Sequence, residues 1–527
     1  MSIKTTSFLQ DNRGLHNHAA LRCVCLVLAL CLLLCTPALA QTTPGGMELD
    51  EVLSLFEARA QQAMEASAVP GMAIAVVWDD QVVYSKGFGV KELGDPDPVD
   101  PDTLFQIGST SKAFTAATVA QMVDRGYFGW HDKVQHHLKD FYMFDSWVTD
   151  QFEVWDLMAQ HSGLPAYSLM FPPSFGYDRQ SVINSLAWVE PVSSFRGQYA
   201  YQNAFFLVAA KLVEKYSGQG WDDYLRDHLL APLGMHRTFT KVESLFSDDN
   251  ASWLHYEVNG QVRAVQKDWP MLRWTDTYCP AGGLHSSANQ MAQWLRMLTG
   301  GGSFEGQDII SSSNLNFLFT PATVIKSQGG NLIAYCQAWI HEGRGDYRLI
   351  WHNGDTGMSH AFVGLVPETR VGVVILSNLG LATSLDAAGH YFMDLFHKGR
   401  TAVSAAHSKL AFTLDSPPLY LSVTPMAASA FSADDQFTGN YANEVYQARV
   451  VASGDSLHLY IGPWQVEFLL VPDGGWGSFS MIDASNGLYF ASVSFASPKS
   501  GELVSPSLYF HFDDTDQGPL ANQLYRQ

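Results

Sequence analysis

Three short groups of residues in this 527-residue chain have types and spacings that could do chemistry. The first is Ser109-Thr110-Ser111-Lys112. A serine at the first turn of a helix, with a lysine three positions on, places both side chains on one helical face. Serine is a poor nucleophile until a neighbour takes its proton, and a desolvated lysine can take it. The helix start also offers backbone N–H groups to a developing oxyanion. Alone, S-x-x-K arises by chance on the order of once in such a chain, with the serine a cap and the lysine solvated. The second group is Tyr201-Gln202-Asn203, ahead of the helical run Ala204–Tyr216. A tyrosine at a loop tip can relay a proton, and an asparagine can hold an amide; the plain alternative is a packing ring and a helix cap. The third is His352-Asn353-Gly354, at the end of the β-type run Tyr347–Trp351. A basic residue and a glycine on an edge strand let a substrate lie against the backbone, although an ordinary strand end reads the same way.

These groups need elements to hold them. Met47–Ser67 has helical spacing and Pro70 ends it. Met72–Trp78 and Val82–Phe88, joined by Asp79-Asp80-Gln81, read as a hairpin. Ser109–Arg125 reads as a helix closed by Gly126, and residues 127–300 as helices and loops, including Val182–Val189 and Asn203–Tyr216. Ala334–His341, Tyr347–Trp351, Ala361–Leu365 and Val371–Leu376 are β-type runs, followed by a closing helix over Leu385–Phe396. The expectation is an α+β body with an antiparallel sheet assembled from both chain ends beside an inserted helical lobe. Residues 401–433 read as a Pro-containing linker. Residues 434–527 alternate like a small all-β sandwich or barrel. Its aromatics Trp464, Trp476 and Tyr489 could line a cavity, but core filling is the plainer role. No catalytic residue is assigned to this tail, and residues 47–400 are expected to hydrolyse a small ester without it.

The order S-x-x-K, Y-x-N, H-x-G resembles the serine β-lactamase-like family, in its branch of class C β-lactamases, D-peptidases and esterases. Val69-Pro70-Gly71-Met72, Leu157–Pro165 and Pro280-Ala281-Gly282-Gly283-Leu284 fit the same family, so the resemblance covers residues 47–400. It implies that Ser109 is the acylated nucleophile, Lys112 its proton acceptor and Tyr201 a second proton-relay group. Either Lys112 or Tyr201 could be the base. Asn203 would hold the substrate's acyl-side amide, His352 and Gly354 would bind substrate, and the N–H groups of Ser109 and Asp355 would form the oxyanion hole. One departure matters: β-lactamases proper usually carry lysine where His352 stands, and histidine is mostly neutral at pH 7. The expected activity is therefore an exported serine hydrolase cleaving an amide or ester, a D-amino-acid-type peptidase or an esterase. The alternative is a weak class C-like β-lactamase, or a penicillin-binding sensor that acylates without efficient turnover.

Composition narrows the classes. Apolar residues make up 47% and charged residues 16%, which is globular. The formal charge of −21 and the lack of a basic stripe argue against nucleic-acid binding. Lys4, Arg13 and Arg22, the apolar run Cys23–Cys35 and Ala38-Leu39-Ala40 read as a secretory signal over residues 1–40, too short to span a bilayer. The expected product is periplasmic or extracellular, without a stable membrane anchor, and its partner is a small-molecule, peptide or ester substrate. Beyond that segment only Cys279 and Cys336 remain, which read as two buried thiols or a single bridge. Neither G-x-S-x-G nor H-E-x-x-H occurs, so an α/β-hydrolase and a zinc hydrolase lack their motifs, and no metal or cofactor is expected.

Overall fold

The structure, a computed structural model, describes residues 41–406 and 437–526, apart from 259, 329–330, 444, 455, 473–477, 486–488, 497–506 and 512–522. The expected signal segment, most of the expected linker and Trp476 lie outside the described residues.

Helix α1 (Leu49–Ala66) leads into β1 (Gly71–Trp78) and β2 (Gln81–Gly89). Asp79 and Asp80 both take positive φ, 48° and 65°, the conformation a two-residue hairpin turn requires. The later strands are β3 (Thr323–Gln328), β4 (Asn331–Tyr335), β5 (Ile340–Gly343), β6 (Arg348–Asp355), β7 (His360–Val366) and β8 (Val371–Ser377). They join the hairpin in one antiparallel sheet of order β2-β1-β8-β7-β6-β5-β4-β3, with Ile74 opposite Ile375 where the two chain ends meet. The expected single run over Ala334–His341 is two strands. Ala338, at φ 66°, turns the chain between them without any glycine or proline to announce it.

Strand alternation divides β1 between two cores. Met72, Ile74 and Val76 pack with α1 and with α5 (Ser384–Ala406, broken at Gly399). Ala73, Ala75 and Val77 face the helical lobe, where their small side chains admit α4 (Ala288–Thr299). The lobe surrounds α2 (Ser111–Asp124), in which every residue from Ser111 to Met122 is buried. A helix so enclosed needs small side chains, and half of its residues are Ala, Ser or Thr. Helix α3 (Ala204–Ser217) packs against it.

The tail is a closed barrel of eight antiparallel strands between Gly439 and Arg526. Alternate residues Leu457, Leu459 and Ile461 fill its interior. Cys279 and Cys336 are both buried and free, so no bridge joins them.

Candidate active site

Ser109 does not sit on the α-helix itself. Gly108–Thr110 forms a 3₁₀ turn, and the α-helix begins at Ser111. The hydroxyls around it have other tasks: Thr110 Oγ1 donates to Ile107 O at 2.7 Å, and Ser111 Oγ donates to Gly108 O at 2.7 Å and accepts from Leu284 N at 3.1 Å. Of these three hydroxyl residues, Ser109 is the one on the cleft wall.

Lys112 is fully buried, and its Nζ lies 3.1 Å from Ser109 Oγ, 2.6 Å from Asn203 Oδ1 and 2.7 Å from Ala281 O. Burial pushes its pKa well below the ordinary lysine value. A neutral amine has two N–H groups and one lone pair. The two N–H groups match the two carbonyl oxygens, which leaves the lone pair for the Ser109 hydroxyl.

Tyr201 and Asn203 reach the same point from the loop before α3. Gln202, between them, turns the other way: its N–H donates to Gln160 Oε1 at 2.5 Å, and its Nε2 donates to Pro165 O at 2.5 Å. Gln160 Nε2 closes the pair by donating to Gln202 O at 3.0 Å. Asn203 makes no side-chain cap for α3. Its Oδ1 serves Lys112 instead, so the capping alternative does not describe it. Tyr201 is buried and lines the same cleft as Ser109, with Lys112 Nζ 4.8 Å from its ring centroid. Burial raises its pKa, so the phenol keeps its proton at neutral pH.

Strand β6 closes the site. His352 differs from its expected role as a substrate contact: it is 0% exposed, and its Nε2 lies 2.9 Å from Tyr335 Oη. Burial, with Lys112 nearby, lowers its pKa to about 3, so it contributes no charge. Gly354 has a packing task at this point. A Cβ there would lie 2.0 Å from Ile107 O and 2.9 Å from Ser109 N, so glycine is what lets β6 press backbone to backbone on the Ser109 turn. Gly108, at φ 50°, does the same from the other side, since a Cβ on it would lie 2.5 Å from Asp355 N. Thr356 N donates to Ser359 O, which makes the next pair, Asp355 and His360, the wide one in the ladder. The Asp355 N–H therefore points away from β7, toward the turn that carries the Ser109 N–H.

Above these groups lies a cleft open to solvent. Tyr167, Met170, Phe171, Trp274 and Tyr278 form its apolar wall. Among the described residues no lysine or arginine lines it, and the carboxylate of Asp355 is held by Gly357 N, Leu381 N and His360. The wall continues into the barrel. Phe171 packs on Phe490 with centroids 5.4 Å apart, and buried Phe175 lies 5.7 Å from Phe490 and 6.1 Å from Phe468. Trp464 N donates to Phe175 O, and the Trp464 indole, 40% exposed, covers Gly176 so closely that a Cβ would lie 2.4 Å from its Cγ. Trp464 thus packs against the body instead of lining a cavity.

The Beta-lactamase family model matches residues 56–398, a span that contains all three groups. The chain belongs to the beta-lactamase family. It is 25% identical to the unguisins hydrolase ungD' of Aspergillus campestris, over 78% of this chain and 79% of that protein. It is 26% identical to penicillin-binding protein 4 of Amycolatopsis lactamdurans, over 68% of this chain and 93% of that one. Protein flp of Staphylococcus aureus is 23% identical over 60% of this chain and 61% of its own length. Among solved structures, an octameric penicillin-binding protein homologue from Pyrococcus abyssi superposes over 90% of this chain with a TM-score of 0.57 at 20% identity, which shows a shared fold.

For a beta-lactamase-family site, the arrangement joins a serine, a desolvated lysine, a protonated tyrosine and two converging backbone amides. The residues that carry the motifs are not the whole of it. Gln160 and the Ala281 carbonyl lie in segments that were already legible as Leu157–Pro165 and Pro280–Leu284, whereas Tyr335 and the aromatic wall carried no local signal.

Proposed function

We propose that this chain is an exported acyl-serine hydrolase that cleaves an amide or ester through a covalent intermediate on Ser109, on the peptidase and esterase side of its family. The observation that carries this reading is the place of Lys112 Nζ, 3.1 Å from Ser109 Oγ and with two carbonyl oxygens for its two N–H groups. In acylation the Ser109 proton passes to Lys112 Nζ while Oγ bonds to the carbonyl carbon. The carbonyl electron pair moves onto oxygen, which the N–H groups of Ser109 and Asp355 receive. Collapse breaks the bond to the leaving nitrogen or oxygen, which takes a proton from Tyr201 Oη; Tyr201 recovers it from Lys112. Water repeats the sequence on the acyl-enzyme. Lys112, with its lowered pKa, is thus the base and Tyr201 the donor.

The cleft lining supports an uncharged acyl portion. His352 is neutral, and among the described residues no lysine or arginine lines the cleft to pair a free carboxylate, while five apolar or aromatic side chains favour a hydrophobic group. The name of the unguisins hydrolase is consistent with hydrolysis on this scaffold.

Mass spectrometry after treatment with a fluorophosphonate tests the reading. The adduct is expected on Ser109, lost in Ser109→Ala and kept in Ser111→Ala, while Lys112→Ala loses at least about 10³-fold in kcat. An adduct on another serine overturns the mechanism. Assays with D-amino-acid peptides, short acyl esters and a chromogenic cephalosporin divide the substrate classes. A stable cephalosporin adduct without turnover of any peptide or ester would make the protein a sensor instead. N-terminal sequencing of exported material is expected to begin near Gln41.

A further inference from the structure

Behind the oxyanion strand lies a buried charged array that the motifs do not announce. His360 Nδ1 is 2.8 Å from Asp355 Oδ2, and its Nε2 is 2.8 Å from Asp386 Oδ1. The other oxygen of Asp386 accepts from Asn353 Nδ2 at 2.9 Å. Asp355 Oδ1 accepts from Gly357 N, and Oδ2 also accepts from Leu381 N, each at 2.6 Å. The side chains of His360, Asp355 and Asp386 are all buried. With a carboxylate at each ring nitrogen, only the doubly protonated imidazole can donate to both. Burial opposes that charge, yet Asp386 and Asp355 together hold the pKa up, to about 10.

The placement gives the array its meaning. Residues two apart on a strand share a face, so Asn353 and Asp355 look back toward α5 while Gly354 looks forward to the Ser109 turn. The end of β6 is therefore gripped on both sides: forward by close backbone contact, and rearward through Asp355, His360 and Asp386. The Asp355 N–H, one of the two oxyanion donors, lies between the grips. Without a cation between them, the two carboxylates would face each other in a medium that screens little.

Resting on the acyl-serine reading above, we infer that His360 is a positioning residue for the oxyanion donor of Asp355, acting as a charged bridge that ties the end of β6 to α5. It touches no substrate. Its effect is on the pose of one amide, and an amide displaced by a fraction of an ångström stabilises the oxyanion less while leaving ground-state binding alone.

The test is His360→Gln in the full chain, which can bridge to one carboxylate but not neutralise two. Its kcat on a short acyl ester is expected to fall by about 10- to 100-fold, with KM within about twofold. Affinity for an arylboronic acid, which forms a tetrahedral adduct on the serine, is expected to fall by the same factor. The control is His390→Gln, on α5 with Asp386, where the ring meets Glu342 Oε2 at 3.1 Å and Asp386 O at 2.8 Å. It should lower thermal stability and leave kcat in place. A kcat unchanged in His360→Gln, a loss confined to KM, or an equal kcat loss in His390→Gln at matched stability would each overturn the inference. If His360→Gln does not fold, Asp386→Asn decides by the same readouts, with the same direction and a smaller loss expected. Failure of the parent protein to label on Ser109 would remove the acyl-serine reading, and this inference with it. Labelling of the parent together with an intact kcat in the variant removes the positioning role alone.

Discussion

The two sides of the cleft are built from different physics. The floor, where Ser109, Lys112 and the end of β6 meet, is held by backbone contacts too close for a Cβ and by buried polar groups with assigned partners. The wall, from Tyr167 through Phe171 to Tyr278, is held by aromatic packing, part of which belongs to the barrel. Hydrogen bonds and glycine contacts fix atoms to within a few tenths of an ångström, as a reacting group requires. Aromatic contacts tolerate sliding, as a surface that selects substrates by shape can. The floor therefore belongs to the reaction and the wall to its choice of substrate, and each half of that statement can be broken separately.

The largest effect is expected at the floor. Gly354→Ala would push a methyl group against Ile107 O and Ser109 N, two backbone atoms that cannot swing aside. The expected outcome is a loss of about 100-fold in kcat on every substrate, because the displaced amide serves the oxyanion whatever the acyl group. Steady-state kinetics on an acetyl ester and a bulky aromatic ester check it. A loss that depended on the acyl group would place Gly354 in substrate selection and dissolve the division between floor and wall.

A smaller and selective effect is expected at the wall. Phe490 of the barrel lies 5.4 Å from Phe171 and 5.7 Å from Phe175. Aromatic pairs of this kind contribute about 0.5–1.5 kcal/mol each beyond area burial. Phe490→Ala is expected to lower kcat/KM about tenfold on a bulky aromatic acyl ester, and to leave the acetyl ester within about twofold. Equal losses on both esters would show that the barrel reaches the catalytic floor. These contacts also change the expectation that residues 47–400 act unaided. A truncation after residue 410 would uncover Phe175, which is fully buried, and release Phe171 on the cleft wall.

The same division explains what was legible in the sequence. The floor announces itself because its parts are local: Ser109 and Lys112 are three residues apart, and Tyr201 and Asn203 are two apart with Gln202 turned back. The hairpin of β1 and β2, the long helices and the alternating tail were readable from periodicity for the same reason. What was not readable depends on partners far along the chain. The burial of His352 is decided by Tyr335, on a different strand, and the split of the expected strand at Ala338 has no glycine or proline to mark it. Phe175 reads as a loop residue until the barrel, some 270 positions later, closes over it. Strand β3 was missed because its sequence, TVIKSQ, alternates weakly and Val324 is exposed on it.

The smallest effect is expected where body and barrel meet through a polar contact instead of an aromatic one. Trp269 Nε1 donates to Asp483 Oδ2 at 2.7 Å, from a body loop to the edge of the barrel. Asp483 Oδ1 is held independently, by Ser485 N at 2.8 Å and Ser485 Oγ at 2.6 Å. Trp269→Phe removes the donor and keeps an aromatic ring, and the Ser485 contacts remain, so the carboxylate is not left bare. A hydrogen bond to a charged acceptor is worth about 1.5–3 kcal/mol, and the remaining partners reduce the net loss to about 1 kcal/mol. Trp269 is not among the residues that line the cleft. Thermal or denaturant unfolding should therefore show a modest destabilisation, while kcat and KM stay unchanged on both the acetyl and the aromatic ester. A change in selectivity at this position would mean that the wall responds to the seating of the whole barrel; no change would confine the response to the ring contacts of Phe490.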